Sequence, residues 1–482
     1  MRTPAHLLRT LRALARRVVT IDEQVSALRH EQQDARSDAA ARALAAQEHR
    51  DALAGRATEE NARIAADLTA LRAQVGQAQR DARLAARRAS LRGPTLRVVM
   101  LVHNPSAWGS LDAVHTLMSA AEDIDVTIVT IGSHQGGLGD LRGEDAAHEA
   151  MVARGVPHLR CPEDRDPIDL LHVLDPDIVF RQSQWDADID PRLGSEELGA
   201  FRTCLVPYEP LNTIHNPDAG DTLDTGVDSE FHHRAWLVFT PRFAYERAVA
   251  VGRRAGAQYR AVGHPKADAL RAAVPAWPLA GDAPRIVVST HHSLSDTWNN
   301  FGLLDRVRDD LLAWARSGDQ EFVWSPHPYL LPFVHSGRAK ISQEDLRAWR
   351  AQWDALGNTA SALSSDYPAL LAACDVVVTD GISMLLEAQV VGKPVVFLER
   401  DEHVPFNEAG RRMLAGVHTA RGVPEAQALV TALVRDGDPL REVQQQVVTD
   451  LFGPPGAAER IVAAIREQAR RDGWRPQPGS HS

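Results

Sequence analysis

The segment DVVVTDGISMLLEAQVVGKPVVFLER, residues 375–400, contains the pattern that decides the fold. Two short apolar runs flank a stretch that begins at Asp380-Gly381, and this order of strand, tight turn, helix and strand is typical of a β-α-β unit in a parallel sheet. A helix that starts directly after a strand presents unpaired N–H groups at the carboxyl edge of the sheet, where α/β proteins bind ligands. The segment therefore predicts either one more buried turn of a sheet or a turn that holds a ligand's phosphates.

The same alternation of short apolar runs and helical patterns extends in both directions from this segment. It begins with LRVVMLVHN at residues 96–104 and starts again with RIVVSTHHS at residues 285–293, and beyond about residue 420 only helical patterns follow. Two Rossmann-like halves with closing helices predict the GT-B arrangement, in which the ligand cleft lies between the halves. A single large α/β domain, or a pair of domains as in periplasmic binding proteins, would give a similar pattern.

The predicted fold class is an α/β protein of the GT-B type, with two Rossmann-like domains that face a cleft and an N-terminal α-helical coiled-coil arm before them. The predicted segments are an arm at 1–92, an acceptor-side domain at 93–273, a Pro-rich linker at 274–284, a nucleotide donor domain at 285–420 and C-terminal helices at 421–482.

The arm is predicted because residues 1–92 contain no Trp, Tyr or Phe and repeat apolar residues every 3.5 positions. An alternating spacing of four and three residues runs from Leu7 to Leu28 and returns from Ile64 to Ala85, in registers that differ by one residue. This spacing is typical of a coiled-coil seam, so we predict a homo-oligomer that associates through the arm. A long solvated helix is the alternative.

The net charge of −11 is unevenly distributed along the chain. Residues 1–92 contain 17 arginines and 11 acidic residues, a balance of +6, which leaves 36 basic and 53 acidic residues, a balance of −17, for the rest. Because a nucleic-acid site needs a basic stripe that neutralises phosphates, the acidic body argues against nucleic acid as a partner.

Several features together predict a cytoplasmic protein. No apolar run approaches the ~20 residues of a membrane span, and the N-terminus lacks the pattern of an export signal. Cys161, Cys204 and Cys374 are scattered without metal-binding spacing, which favours reduced thiols. The first twenty residues carry five arginines and no acid, which predicts either contact with the inner face of the cell membrane or simply the positive end of the coil.

The turn at the start of the helix in the opening segment is the first candidate for donor binding. Asp380, Gly381 and the hydroxyl of Ser383 would lie at a diphosphate, which suits the positive end of a helix dipole. Glu387 is four residues beyond Ser383 on the same face, where its carboxylate suits ribose hydroxyls. A plain helix cap followed by a solvated glutamate would leave the same pattern.

Three histidines follow strands of the second half. His327 is flanked by prolines that hold its ring outward, and it suits contact with a phosphate or protonation of a leaving group. A buried, hydrogen-bonded histidine is the alternative. His291 and His292 follow another strand, and because adjacent residues of a strand point to opposite sides, we expect at most one of them to face the cleft.

The first half supplies candidates at the ends of two strands. His264 and Lys266 follow one strand, and Lys266 would be a point charge for a phosphate or an exposed lysine between the domains. Tyr208 and Glu209 end another strand, and Glu209 would be a general base towards an incoming hydroxyl or a solvated loop residue.

Several chemical motifs are missing from the sequence. The acidic run DADID at residues 186–190 lies between Trp185 and Pro191 and is predicted to be a surface loop, so no DxD metal motif is supported. We expect neither a metal nor a cofactor. The first strand is not followed by GxGxxG and no Walker motif occurs, which argues against dinucleotide redox and NTPase chemistry.

From about residue 95 to residue 420 the sequence resembles the CDP-glycerol glycerophosphotransferases of teichoic acid and capsule assembly, which are GT-B enzymes. The matching elements are GHPKAD at 263–268, SPHP at 325–328, SSDYPALLAACDVVVTDGISMLLE at 364–387 and GKPVVFLERDEHVPFNEAG at 392–410. The Tyr208-Glu209 strand end and the THHS run are most similar to a less characterised capsule-locus branch of that family.

The resemblance implies that an acceptor hydroxyl attacks the β-phosphate of CDP-glycerol and displaces CMP. It also implies that His327, Asp380, Ser383 and Glu387 bind the donor. The sequence departs from the family at two places. The first-half His-Gly motif has no clear equivalent, so Glu209, His291, His292 or His327 would act as the base, and Ile382 stands where the family has a serine.

Three functions remain open. The first is transfer of glycerol phosphate, or a related polyol phosphate, from a CDP-activated donor to a lipid-linked or polymeric hydroxyl of a cell-wall or capsular precursor. The second is a GT-B glycosyltransferase that uses a nucleotide sugar in surface polysaccharide synthesis. The third is a non-catalytic nucleotide-binding scaffold, which the loss of the family's base supports. Cationic groups near a β-phosphate favour the first.

Overall fold

The computed structural model describes residues 4–89, 91, 93–134, 141–215, 226–295, 299–363 and 367–476. The chain divides into two units, residues 1–79 and 80–482. The described part of the first unit is a single helix, α1 (Pro4–Ala89), whose last ten residues belong to the second unit. No helix of the described residues is long and apolar enough to cross a membrane. The predicted arm is therefore helical, and its association into a coiled coil stays a prediction.

The second unit contains two parallel sheets, each covered by helices on both faces. The first sheet has seven strands in the order β3-β2-β1-β4-β5-β6-β7. Its strands are β1 (Leu96–Val102), β2 (Ile124–Ile131), β3 (Leu159–Cys161), β4 (Ile178–Arg181), β5 (Arg202–Leu205), β6 (Leu237–Thr240) and β7 (Tyr259–Ala261). The helices of this half are α2 (Asp112–Ser119), α3 (Glu144–Ala153), α4 (Pro167–Leu174), α5 (Glu230–Arg234), α6 (Arg242–Val251) and α7 (Pro265–Arg271).

The second sheet has six strands in the order β10-β9-β8-β11-β12-β13. Its strands are β8 (Arg285–Ser289), β9 (Glu321–Trp324), β10 (Thr359–Ser361), β11 (Val376–Thr379), β12 (Val395–Leu398) and β13 (His418–Ala420). Its helices are α8 (Leu304–Ala315), α9 (Leu330–His335), α10 (Gln343–Asp354), α11 (Tyr367–Ala373), α12 (Ile382–Val390) and α13 (Glu408–Leu414). All four residues of β11 are buried, because a parallel sheet covered on both faces needs continuous apolar strands.

The C-terminal segment, predicted as helices alone, is divided between the two halves. It contains α14 (Val423–Asp436), α15 (Arg441–Phe452) and α16 (Ala457–Arg471). Val423, Ala426 and Val430 of α14 pack in the core of the second sheet. Ile461 and Ile465 of α16, with Trp474 beyond it, are fully buried against the first sheet. The chain thus crosses from the second half back to the first after α15.

The predicted strands all occur in the predicted order, but most end earlier than their apolar runs. The run at residues 96–104 forms a strand only as far as Val102, and the run at 285–293 only as far as Ser289. Strands β3 and β13, each of three residues at the edge of its sheet, were not predicted. The early ends place polar residues in loops at the carboxyl edges of both sheets. Cys161, Cys204 and Cys374 are buried free thiols.

Candidate functional site

A cavity of about 390 Å³ lies where loops from the carboxyl edges of the two sheets meet. This volume is within the usual range for small-molecule sites. The lining includes six of the residues singled out from the sequence: Glu209, His291, His292, His327, Ser383 and Glu387. The described lining does not include four others that were predicted to bind a donor: His264, Lys266, Asp380 and Gly381. Those four lie behind the cavity wall, and their contacts explain why.

Asp380 supports the wall of the cavity and does not face it. The residue is 1% exposed, and its two carboxylate oxygens accept hydrogen bonds of 2.6 Å from the backbone amides of His291 and Leu303. Burial raises the pKa of Asp380 to about 7, although both amide bonds oppose the shift. The predicted placement of Asp380 at a diphosphate is therefore replaced by a positioning role for the loop that carries His291.

Gly381 is the N-cap of α12 and is buried, so, like Asp380, it lies behind the cavity wall and does not line the cavity. Its amide donates to the Thr379 hydroxyl at 2.9 Å. A side chain here would meet that hydroxyl at 3.2 Å and the His291 ring at 3.8 Å. The distance to the His291 ring is an ordinary van der Waals contact, so only the Thr379 hydroxyl crowds this position. Two residues further along, the exposed Ser383 faces the cavity.

Lys266 and Glu387 were predicted separately as a phosphate contact and a ribose contact, and they bind each other. The Lys266 ammonium nitrogen lies 2.6 Å from Glu387 Oε1, and the Glu387 side chain is only 5% exposed. Burial acts to lower the pKa of Lys266, but the Glu387 carboxylate outweighs it and the pKa is raised. The Lys266 ammonium nitrogen also lies 5.8 Å from the centroid of the Tyr367 ring. Because Lys266 is on α7 and Glu387 on α12, the ion pair joins the two halves beside the cavity.

His264 is likewise occupied by the protein. Its Nε2 lies 2.8 Å from the carbonyl oxygen of Pro207, and its Nδ1 accepts a hydrogen bond from the Lys266 amide at 3.2 Å. Burial lowers the pKa of His264 to about 4, so the ring is neutral and donates from Nε2. Both ring nitrogens are used, and the histidine fixes the start of α7 to the strand end that carries Glu209.

His291 and His327 are held in one tautomer each. The Ser293 hydroxyl oxygen accepts from the amides of Phe301 at 2.9 Å and Gly302 at 3.0 Å, so its hydrogen is directed to His291 Nδ1 at 2.7 Å. His327 Nδ1 accepts from the Tyr329 amide at 3.2 Å. Since Nδ1 is an acceptor in both rings, each neutral imidazole carries its proton on Nε2. Both rings line the cavity, where Nε2–H is a hydrogen-bond donor.

The three histidines of the second half form one cluster at the cavity. Ring centroids are 4.3 Å apart for His291 and His292, 4.5 Å for His292 and His327, and 5.4 Å for His291 and His327. Burial lowers the pKa of His292 to about 4 and the pKa values of the other two well below the usual range. All three rings are therefore neutral near pH 7. In the described part of the chain no group of side chains has the arrangement of a metal site.

The expectation that at most one of His291 and His292 faces the cleft is wrong. Strand β8 ends at Ser289, so the two residues lie in an irregular loop to which the alternation of a strand does not apply.

Glu209 is a carboxylate of the first half at the cavity, as is Asp188. Burial, with the nearby Asp188, raises the pKa of Glu209 to about 7, and hydrogen bonding from Tyr208 opposes the shift. A carboxyl group with this pKa can both take up and release a proton near neutral pH. Glu209 has therefore the placement and the electrostatics of a general base, although its role stays a prediction.

The acidic run at residues 186–190 is a surface loop only in part: Asp186 and Ala187 are exposed. Asp188 and Trp185 line the cavity, and Asp190 is buried. Asp188 Oδ2 accepts a hydrogen bond of 2.6 Å from the Ser183 hydroxyl. The usable signal was the position of the run directly after β4, since residues that follow a parallel strand lie at the carboxyl edge of the sheet.

The Phe-Asn-Glu-x-Gly segment at residues 406–410 connects the halves. Asn407 Oδ1 accepts from the Gly410 amide at 3.0 Å, which caps α13, and Asn407 Nδ2 donates to the Asn212 carbonyl at 2.9 Å. A side chain on Gly410 would overlap the Thr213 carbonyl oxygen. Only glycine fits this close approach, which holds the loop after Glu209 against the second half.

The cluster of neutral histidines predicts that the protein loses stability as the pH falls from 7 to 5. Buried histidines with lowered pKa values stay neutral in the folded state, whereas in the unfolded chain they take up protons near pH 6.5. Glu209 and Asp380 have raised pKa values and act in the opposite direction. These two carboxyl groups are outnumbered by six buried histidines whose pKa values are lowered to about 4 or below: His103, His232, His264, His291, His292 and His327. Melting temperatures measured across this pH range test the sign.

A melting temperature that stays constant or rises towards pH 5 would contradict this balance. His232→Gln is a suitable comparison, because His232 is buried and its pKa is lowered to about 3 by burial, with Arg181 adding to the shift. The variant is expected to show a shallower decline with acid than the parent protein.

Comparison with protein-family profiles and with curated protein sequences gives no match. Solved structures do match. A candidate UDP-N-acetylglucosamine 2-epimerase of Listeria monocytogenes has a TM-score of 0.54 at 14% identity, over 78% of this chain and 97% of its own. S. aureus MnaA in complex with UDP has a TM-score of 0.53 at 12% identity, over 80% and 100% of the two chains. A UDP-GlcNAc 2-epimerase of Neisseria meningitidis bound to UDP-GlcNAc has a TM-score of 0.53 at 12% identity, over 77% and 100%.

These similarities confirm the predicted GT-B fold of two Rossmann-like domains. At such low identities they show the fold alone, and the chemistry of this chain must be argued from its own residues.

Proposed function

We propose that this chain is a metal-independent transferase that moves glycerol phosphate, or a related polyol phosphate, from a CDP-activated donor to a hydroxyl of a cell-wall or capsular polymer precursor. One observation carries the proposal. A carboxylate with a pKa of about 7, Glu209, faces the same cavity as the hydrogen-bond donors of His291, His327 and Ser383. The resemblance of residues 95–420 to CDP-glycerol glycerophosphotransferases supplies the donor class.

The second half would bind the donor. The first turn of α12 offers unpaired backbone N–H groups, and Ser383 adds a hydroxyl at the cavity surface, so a diphosphate is favoured there. The Nε2–H groups of His291 and His327 can donate to the same phosphate oxygens. Glu387 lies further along α12, where Lys266 fixes its carboxylate for a ribose hydroxyl. His264, Asp380 and Gly381 would hold these groups in place.

The reaction would begin with the acceptor hydroxyl between Glu209 and the donor. As the acceptor oxygen forms a bond to the β-phosphorus, Glu209 takes the hydroxyl proton, and the bond from the β-phosphorus to the bridging oxygen breaks. CMP leaves with the electron pair on that oxygen. The negative charge on the transferring phosphoryl group and on CMP is stabilised by fixed N–H donors and the end of α12. The lowered pKa values of His291, His292 and His327 make these rings weak proton acceptors near pH 7, which favours hydrogen bonding for them and Glu209 as the base.

A second candidate is a glycosyltransferase that uses a nucleotide sugar in surface polysaccharide synthesis. Ile382 favours it, because an apolar side chain lines the cavity where the glycerophosphotransferases have a serine. Two proteins of the same fold are described as complexes with UDP or UDP-GlcNAc. A third candidate, a nucleotide-binding scaffold without catalysis, would use the same cavity and show no turnover.

Nucleotide binding can be measured by thermal shift with CMP, CDP, CDP-glycerol, UDP and UDP-sugars. We expect cytidine nucleotides to raise the melting temperature, because a ligand that binds only the folded state stabilises it by mass action. His327→Ala and Ser383→Ala are expected to reduce the shift, because each removes a donor from the phosphates. His335→Ala, an exposed histidine of the same half, is the matched control.

Each outcome of this panel selects one function. A shift with UDP-sugars alone would replace the glycerophosphotransferase by the glycosyltransferase. Unchanged shifts in both variants would remove the donor-site assignment, and nucleotide binding without any transfer product would favour the scaffold.

The acceptor would be lipid-linked or polymeric, at the cytoplasmic face of the cell membrane. The five arginines of residues 1–20 give the start of the arm a charge that attracts anionic lipid. Residues 1–3 lie outside the described part of the chain. Sedimentation with anionic liposomes is expected to fall when residues 1–20 are deleted, and equal sedimentation of both proteins would remove the membrane contact.

A further inference from the structure

The long helix α1 exposes a stripe of large apolar side chains. At the seam positions of the predicted heptads the exposed fraction is between 37% and 64%: Leu14, Val18, Ile21, Val25, Leu28, Ile64, Leu68, Leu71 and Val75. The stripe has two stretches at 1.5 Å of rise per residue, about 21 Å from Leu14 to Leu28 and about 17 Å from Ile64 to Val75, with an Ala-rich segment and a register change of one residue between them. Apolar residues at this spacing are typical of a helix that packs against another helix.

The charges beside the stripe indicate which helix covers it. With Leu14, Ile21 and Leu28 at heptad position d, Arg17 is at position g and Asp22 at position e. In a parallel, in-register pair, a residue at g meets the residue five positions later in the other chain. Arg17 would then face Asp22 of the second copy, and by symmetry Asp22 would face its Arg17.

The same rule gives opposite charges at every flanking pair in which both residues are charged. Glu31 would face Arg36 in the first register, and Asp67 would face Arg72 in the second register, where Ile64 and Leu71 are at position d. Among the residues whose side chains the structure describes, the other flanking pairs contain at most one charge and are not repulsive: Gln24 with Arg29, Asp38 with Ala43, Glu60 with Ala65 and Gln74 with Gln79.

These charges are not explained by pairing within a single helix. Intrahelical ion pairs join residues three or four positions apart. Arg17, Asp22, Glu31 and Arg36 each have no opposite charge at any such position in the sequence. Their complementarity exists only between two chains.

The seam of the first register agrees best with two parallel strands. Val18 and Val25 are β-branched residues at position a and Leu14 and Leu28 are at position d, the combination that favours parallel dimers, whereas Ile64 at d and Leu68 at a of the second register are the combination of higher oligomers. Asn61 falls at position a of the second register, where a polar residue that meets its own copy fixes both register and strand number.

We propose that α1 is one strand of a parallel, in-register, two-stranded coiled coil formed with a second copy of this chain. The arrangement brings together the C-terminal ends of the two arms, each of which leads into an α/β body. The inference does not depend on the reaction proposed above.

The test uses the full-length chain with charge exchange between Arg17 and Asp22. R17D and D22R each turn two attractive pairs per dimer into repulsive ones, and the dimer dissociation constant is expected to rise about tenfold, as for exposed ion pairs. The double variant R17D/D22R restores opposite charges and is expected to dimerise like the parent. Analytical ultracentrifugation measures the mass and the dissociation constant.

A single introduced cysteine reports the register. All three native cysteines are buried, so Leu28→Cys at position d is expected to form a disulfide between chains in the parallel, in-register pair. A monomer at micromolar concentration, a trimer, a dimer that does not cross-link through Cys at this position, or a double variant as weak as the single ones would each overturn the proposal. So would a monomer that binds anionic liposomes through the stripe.

Discussion

Glu209→Gln is expected to lower turnover by about 100- to 10,000-fold, the usual contribution of a general base, while nucleotide binding stays unchanged. Glutamine keeps the size and the hydrogen-bonding ability of the side chain but cannot accept the proton of the acceptor hydroxyl. If the proposed reaction holds, the parent protein should gain activity as the pH rises through about 7, because burial and Asp188 raise the pKa of Glu209 to that value and only the ionised form is a base. CMP release from CDP-glycerol, followed across pH, measures both effects.

Stability separates this catalytic role from a structural one. In the folded protein Glu209 keeps its proton up to about pH 7, whereas in the unfolded chain it loses it near 4.5, so its ionisation lowers the free energy of unfolding as the pH rises through this interval. Glu209→Gln should therefore be at least as stable as the parent at pH 8. Glu149→Gln, at an exposed position of the same half, is the control and should change neither property. Full activity of Glu209→Gln would remove Glu209 as the base.

Asp380→Ala is expected to have the largest effect on stability. The change leaves the buried amides of His291 and Leu303 without their acceptors, and each unpaired buried group costs about 1–3 kcal/mol, so the free energy of unfolding should fall by about 2–6 kcal/mol. Denaturation with urea measures this loss. Because the loop of His291 depends on the same bonds, nucleotide affinity should fall with it.

Asp375→Ala is the matched control for this variant. Asp375 lies at the opposite end of β11 and accepts a hydrogen bond of 2.8 Å from the Arg285 amide, but it is exposed. Water can replace the lost acceptor there, so the change should cost at most about 1 kcal/mol. Equal losses in both variants would show that burial does not set the contribution of Asp380. A stable Asp380→Ala protein that has lost nucleotide binding would instead support direct contact between Asp380 and the diphosphate of the donor.

The fold could be predicted from the sequence because parallel strands buried on both faces are continuous apolar runs. The continuous apolar runs DVVVT and KPVVFLE therefore predict central strands of a sheet. The edge strands β3 and β13 escaped prediction, since neither of their sequences, LRC and HTA, contains an apolar run. The sequence also did not predict that the chain returns to the first half after α15, because the pattern of an amphipathic helix such as α16 does not indicate which sheet the helix covers.

The positions of the site residues were easier to predict than their roles. Polar residues directly after strands do gather at one cavity, as the topology requires. A carboxylate in that position gives the same sequence signal whether it binds a ligand, as proposed for Glu209, or two backbone amides, as Asp380 does. Likewise, only the three-dimensional contacts of Ser293 and Tyr329 reveal that two histidines are neutral donors.

The C-terminal crossing has a consequence for synthesis of the protein. The first sheet is complete within the first 261 residues, but Ile461, Ile465 and Trp474 cover part of its apolar core. At 5–20 residues per second, a ribosome needs about 10–40 s to add the intervening chain. During that interval the second half can fold as a continuous segment, while the first half waits with an open face. The half that is translated first is thus the last to be finished, and a nascent chain stopped before α16 should be the species that chaperones bind.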